Sequence, residues 1–429
     1  MVDFSYQTGF GNHFETEADP GVLPHGQNSP QKVHGGLFTE QITGTAFTAP
    51  RRSMRRSWVY RMRPSVRHFS NLQPIDNGLI RTGPDEESVS APVQLRWDPF
   101  PASSLKTNWL TGLTTVATNG SNEMQTGGAV HHFVATDSME DLAFVDTDGE
   151  LMLVPYDGRL VVRTEMGHIH VAPGYLAVIP RGVKFAVDLL DSTARGYVCE
   201  NYGPAFDLPE HGLLGPDANA LPRDFEYPVA SYDASDSATK LVAKISGQLY
   251  ATDLEHSPFD VVAWHGNLSP YRYELRRFCA VGPVIFDHPD PSIWTLLSSA
   301  SDTSGTANID FILFREHWRV AEHTFRPPWF HSNVMSELMG LIEGIYDAKA
   351  EGFLPGGISI HNSFIPHGPD TAAYESATQA DLGPVKGPDS LAVMWESRYR
   401  WAPTSWAMAL TELQGDYPDR WADLHREYN

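Results

Sequence analysis

The chain has 429 residues, 41% of them hydrophobic and 11% aromatic, a composition far from that of disordered chains and long enough for two or three domains. Its 31 Lys and Arg against 53 Asp and Glu leave a formal charge of −22, which disfavours partners built on a polyphosphate backbone. Two cysteines, Cys199 and Cys279, supply neither a disulfide framework nor a thiolate zinc site, and fit a reducing compartment.

Residues 1–50, rich in Gly, Thr, His and Pro without periodicity, read as an ordered, loop-rich arm. The opening residues show neither a basic nor an apolar leader pattern, and no stretch approaches the roughly 18 apolar residues of a membrane span, so a soluble cytoplasmic protein is expected. Seven arginines follow (Arg51, Arg52, Arg55, Arg56, Arg61, Arg63, Arg67), interleaved with Trp58 and Tyr60. They suit either a polyanion patch or ion pairs within the fold or between subunits. From about 57 to 275, short apolar runs are broken by turn signals. Asp148-Gly149 and Asp157-Gly158 bracket the run from Glu150 to Pro155 and precede the one from Arg159 to Thr164, which predicts β-hairpin material. With 35 Gly and 32 Pro in the chain, many tight turns and a mainly β fold are expected. Helices are predicted best over 235–255 and 333–350, although the apolar positions of the second would serve a buried strand equally. A composition shift at 275–290 divides the chain into an N-terminal β domain, 1–275, and a C-terminal domain, 276–429.

Gly174, Pro180 and Gly182, spaced G-x5-P-x-G, resemble the second motif of cupins, which implies a jelly-roll-like barrel. The metal-binding histidine of that motif is replaced by Phe185, so the N-terminal barrel is expected to be degenerate. His168 and His170 share one strand face and His131-His132 adjoin; all four suit structural or surface roles, with metal binding as the alternative.

Histidine and acid density rises over 317–370. His331 and Glu337, spaced H-x5-E, are followed by His367. Two imidazoles and one carboxylate without a thiolate form the facial triad of non-haem Fe(II) oxygenases, and a zinc hydrolase can use the same set. The surrounding text is more specific. Residues 326–342 (RPPWFHSNVMSELMGLI), 352–361 (GFLPGGISIH) and 366–370 (PHGPD) closely resemble the signature region of the homogentisate 1,2-dioxygenase family. Residues 6–13, 44–51 and 286–293 resemble further segments of it.

That resemblance implies that His331, Glu337 and His367 ligate Fe(II), that His288 is the general acid/base, and that Tyr346 and His361, with His367, border the substrate. Asn333 would either donate to the substrate carboxylate or cap a turn. The implied reaction opens the ring of homogentisate with O2 to give maleylacetoacetate, without an organic cofactor and in tyrosine and phenylalanine catabolism. It further implies a C-terminal metal-bearing cupin-like domain and an assembly of trimers paired into hexamers, packed in part through Arg51–Arg67. The rivals are a zinc-dependent hydrolase and a non-enzymatic cupin with vestigial sites.

Overall fold

A computed structural model describes residues 4–89, 91–101, 105–210, 219–287, 291–346, 352–387, 389–426 and 428. The chain is mainly β, as expected, and of the five sheets among the described residues the three largest are stacked. The middle sheet has nine strands, running in spatial order Tyr6–Thr8, Phe225–Pro228, Tyr271–Glu274, Tyr175–Ile179, Glu150–Asp157, Ala194–Asn201, Thr126–Ala135, Leu113–Ser121 and Ala402–Pro403. Side chains alternate between the two faces of a strand. Leu151 and Leu153 therefore enter one core while Met152 and Val154 enter another. Tyr197 and Cys199 face the second core, and Val198 the first. Burial on both faces explains why these strands read as continuous apolar runs.

The first core is closed by a seven-stranded sheet, in which Leu160–Thr164 pairs with Gly167–Val171 and Phe185–Leu189. The expected hairpins across Asp148-Gly149 and Asp157-Gly158 are thus both corrected: in each case the flanking strands lie in different sheets. Gly158, at φ 75°, turns the chain between layers where a Cβ would stand 2.1 Å from Thr193 O. Phe185, at the position where cupins place a ligand, is fully buried with its ring centroid 5.3 Å from that of Trp109 and 5.7 Å from that of Phe144. An apolar residue there completes a core.

The second core is closed by a six-stranded sheet in the order Thr295–Ala300, Ala307–Arg315, Leu391–Ser397, Ser336–Glu343, Ile358–His361 and Leu95–Trp97. Its last strand comes from the N-terminal half of the chain, and Ala402–Pro403 returns the exchange by pairing with the middle sheet. Tyr197 joins the layers: its ring lies over Gly340 and beside Trp395, and its hydroxyl donates to Leu341 O and Gly357 O.

Both helix expectations are overturned. Over 235–255 the chain forms strands Thr239–Ile245 and Gln248–Leu254, joined by Ser246 and Gly247 at φ 49° and 77°, the turn that matches the twist of a tight hairpin. Within 333–350 lies the strand Ser336–Glu343, whose two faces are both largely apolar, so that no alternation shows. The longest helix among the described residues is Thr371–Gln379, capped by Asp370, whose carboxylate accepts from Ala373 N at 2.9 Å.

Candidate metal centre

Glu337 stands near the start of its strand, directly opposite Glu396 on one neighbouring strand and His361 on the other. Asp310 faces Glu396 in turn, and Ser298 faces Asp310. A polar row thus crosses five strands on one face of the six-stranded sheet, while the adjoining Leu338, Trp395 and Phe311 point into the core. Four members of the row, from Ser298 to Glu337, line a cavity of about 630 Å3, together with His331, Asn333, Trp329 and Met394.

His331 and His367 come from loops that meet in a short bridge, His331 N donating to His367 O at 2.9 Å and His367 N to His331 O at 3.1 Å. Gly368 permits this approach, since a Cβ there would lie 2.6 Å from the Phe330 ring. Each imidazole is oriented by its own loop: Nδ1 of His331 lies 2.8 Å from Trp329 O, and Nδ1 of His367 lies 3.0 Å from Ile365 O. A carbonyl can only accept, so Nδ1 carries the proton in both rings and the Nε2 lone pairs are free to bind a cation. Those Nε2 atoms lie 3.6 and 3.1 Å from the Glu337 carboxylate. Three potential ligand atoms, all within 4.8 Å of one another, therefore converge at the cavity wall, and the set fits a divalent metal ion.

Burial would raise the Glu337 pKa, but His331, His361 and His367 together hold it well below the ordinary carboxylate range. The contact with Glu337 raises the His331 pKa against the opposing effect of burial. Together they describe a carboxylate kept ionised among imidazoles.

The other expected site residues fall as follows. His361 is buried; Nδ1 lies 3.7 Å from Glu337 Oε2 and Nε2 3.0 Å from the Tyr417 hydroxyl. Tyr346 is not brought to this cavity: it packs on Phe314 and Phe353 and borders a separate small cavity with His317 and Arg326. His288 lies outside the described residues. Asn333 serves a turn, its Oδ1 accepting from Met335 N at 3.0 Å and its Nδ2 donating to Glu396. His131 is buried between Thr115 and Glu200, and His132 bonds the Tyr156 hydroxyl. Neither these nor His168 and His170 enter a metal-type cluster among the described residues. The one other such cluster, Asp146, Asp148 and Glu200, already holds a cation, the Lys244 ammonium. Within the arginine run, Arg55, Arg61 and Arg63 form ion pairs inside the chain, Arg61 being buried with Glu165 and Asp260. Glu396 and Tyr417 escaped the sequence reading; Glu396 left a faint signal, an acid ending the apolar run Leu391–Trp395.

Family models described as homogentisate 1,2-dioxygenase N-terminal and C-terminal match residues 5–275 and 276–428. The chain belongs to the homogentisate 1,2-dioxygenase family. Curated relatives named homogentisate 1,2-dioxygenase include one from Rhodopseudomonas palustris strain BisB18, 53% identical over 99% of this chain and 95% of its own length. Another, from Bradyrhizobium diazoefficiens, is 51% identical over 100% of this chain and 96% of its own. Among solved structures, a cupin 2 conserved barrel domain protein from Leptotrichia buccalis is similar at 8% identity and a TM-score of 0.30, covering 69% of this chain and 91% of its own. A likeness that low carries no argument, and the sheet order above defines the fold. The homogentisate 1,2-dioxygenase match spans both halves of the chain, the N-terminal layers as well as the half that bears His331, Glu337 and His367.

Proposed function

We propose that the protein opens the aromatic ring of homogentisate with O2, both oxygen atoms entering the product maleylacetoacetate, and that Fe(II) held by His331, Glu337 and His367 serves the reaction. The observation that carries the reading is the convergence of two Nε2 lone pairs and an ionised carboxylate at the wall of a substrate-sized cavity, in a chain of this family. Nitrogen and oxygen donors without thiolate suit ferrous iron. Bound there, Fe(II) would supply open coordination positions where a phenolic oxygen and O2 meet and exchange electrons.

The protein groups around it have their own tasks. Trp329, Met335 and Met394 give the cavity apolar surface for a flat ring. Glu396 and Asp310 give it acceptors for hydroxyl groups. His288 is proposed to take the phenolic proton, a task suited to an imidazole near neutral pH. Tyr346 remains a proposed substrate contact, and His361 borders the site through Glu337. We further propose two modules, 1–275 and 276–429, a cytoplasmic location, and assembly as trimers paired into hexamers.

The test is direct. Metal-free protein is loaded anaerobically with Fe(II) or Zn(II) and mixed with homogentisate in air, with gentisate in parallel. Oxygen uptake and a ring-opened diketo acid are expected with Fe(II) and homogentisate only; activity with Zn(II) alone would favour the hydrolase.

A further inference from the structure

Three imidazoles face Glu337 in the proposed centre, yet only two of them are needed to complete the ligand set. His331 and His367 present free Nε2 atoms because backbone carbonyls hold their Nδ1 protons. His361 is held differently. It reaches the carboxylate with Nδ1, at 3.7 Å from Oε2, and its Nε2 meets the Tyr417 hydroxyl at 3.0 Å. His361 is not among the three groups whose ligand atoms lie within 4.8 Å of one another, so a cation held by those three would separate the His331 and His367 lone pairs from the carboxylate but not Nδ1 of His361; a carboxylate only accepts, and the favoured tautomer of His361 places the proton on Nδ1. Nε2 is then the acceptor and Tyr417 the donor.

Tyr417 is well placed to hold that arrangement. It is fully buried, and burial raises its pKa, so the phenol stays protonated. The Arg96 guanidinium lies over its ring at 4.2 Å, and Arg96 Nε donates to Gln414 Oε1 at 2.5 Å. Gln414 Nε2 donates in turn to Asp98 Oδ1 and Gly352 O. The turn Tyr417–Trp421 is tied to the His367 loop as well, Trp421 Nε1 donating to Pro369 O and Thr371 Oγ1 to Arg420 O. His361 itself stacks on His367, with ring centroids 4.3 Å apart and planes at 11°.

We infer that Tyr417 is a positioning residue of the metal centre: its hydroxyl fixes His361 with the proton on Nδ1, so that His361 orients the Glu337 carboxylate and is kept from becoming a fourth protein ligand. This rests on the proposed metal site and adds a part to it that lies fifty residues or more from any proposed ligand in sequence. It also assigns His361 to the carboxylate rather than to the substrate.

The test uses the full chain and Co(II), whose visible spectrum reports coordination. Affinity is measured by chelator competition for wild type, Tyr417→Phe, His361→Asn and the double variant, with circular dichroism to establish that each is folded. Tyr417→Phe keeps the ring under Arg96 and is expected to bind Co(II) 10- to 100-fold more weakly, the usual cost of losing an outer-shell partner, with a changed visible spectrum. In the His361→Asn background the same substitution should cost nothing further, because it acts through that histidine. An unchanged affinity and spectrum in Tyr417→Phe, or a full additive loss in the double variant, would overturn the inference. Should Tyr417→Phe not fold, His361→Gln, which keeps a donor towards Glu337, should bind more tightly than His361→Leu, and equal binding would overturn it. Wild type that binds no Co(II) would instead sink the site itself.

Discussion

Glu337 is the residue on which the centre converges, and it is held ionised in a buried position only because three imidazoles face it. Glu337→Ala should therefore abolish metal retention and turnover while the sheet persists, since its neighbours Ser336 and Leu338 remain in the ladder. Metal analysis and oxygen uptake read this out, and a variant that keeps its iron would remove Glu337 from the ligand set. For His288→Phe the expectation is normal iron content with turnover lowered about 10²- to 10⁴-fold, the range typical of a lost proton-transfer group; turnover at the wild-type rate would exclude it. The proposed ligands were legible, because His331, Glu337 and His367 sit in family-like segments. Their supports were less so. His361 was read as a substrate contact and not as a neighbour of Glu337, while Glu396 reaches Glu337 by strand register and Tyr417 reaches His361 from a turn at the far end of the chain, and no local spacing encodes either.

At the scale of elements, the sequence misleads where a strand is buried on both sides. Ser336–Glu343 carries Leu338 and Ile342 towards the middle sheet and Met339 and Leu341 on the other face, so the period of two that marks a half-buried strand is missing. The hairpin at 239–254 failed for a different reason: its only turn signal, Ser246-Gly247, is short, and helix-compatible alternatives flank it. Gly340 records the cost of close layering. A Cβ there would come within 2.7 Å of the Tyr197 ring, whose hydroxyl is itself tied to Leu341 O and Gly357 O. Gly340→Ala should force the layers apart and destabilise the protein by about 1–3 kcal/mol, the usual cost of overpacking. Because Gly340 lies three residues from Glu337, metal affinity should fall with it. Denaturant midpoints and Co(II) titration would show both, and an unshifted midpoint would mean the layers can yield at Tyr197.

Inside the molecule lie both paired charges, such as Arg61 with Glu165 and Asp260, and a set of neutral histidines. The −22 that argued against polyanion partners is compatible with an anionic substrate, because binding depends on the local field at the imidazole cluster and not on the net charge. The middle sheet gives acid stability a specific dependence. His132 is buried against Tyr156, with the Tyr156 hydroxyl 2.8 Å from Nε2, and burial pushes its pKa down to about 3. In the unfolded chain it titrates near 6.5. Below that pH the unfolded state takes up a proton that the folded state refuses, so stability is lost as pH falls and is unaffected above about 7. His131 and His68 act in the same direction, whereas Glu150, pushed up to about 7 by burial, gains stability as pH falls and partly cancels them. The total curve therefore does not isolate any one group, but a difference does. With His132→Gln, the wild type should be the more stable at pH 7.5, and its advantage should shrink by about 1.4 kcal/mol for each pH unit below 6.5, about 2 kcal/mol by pH 5. Urea titrations of both proteins at pH 7.5, 6 and 5 measure this, and a difference that stays constant would show that the middle layer admits a charged histidine.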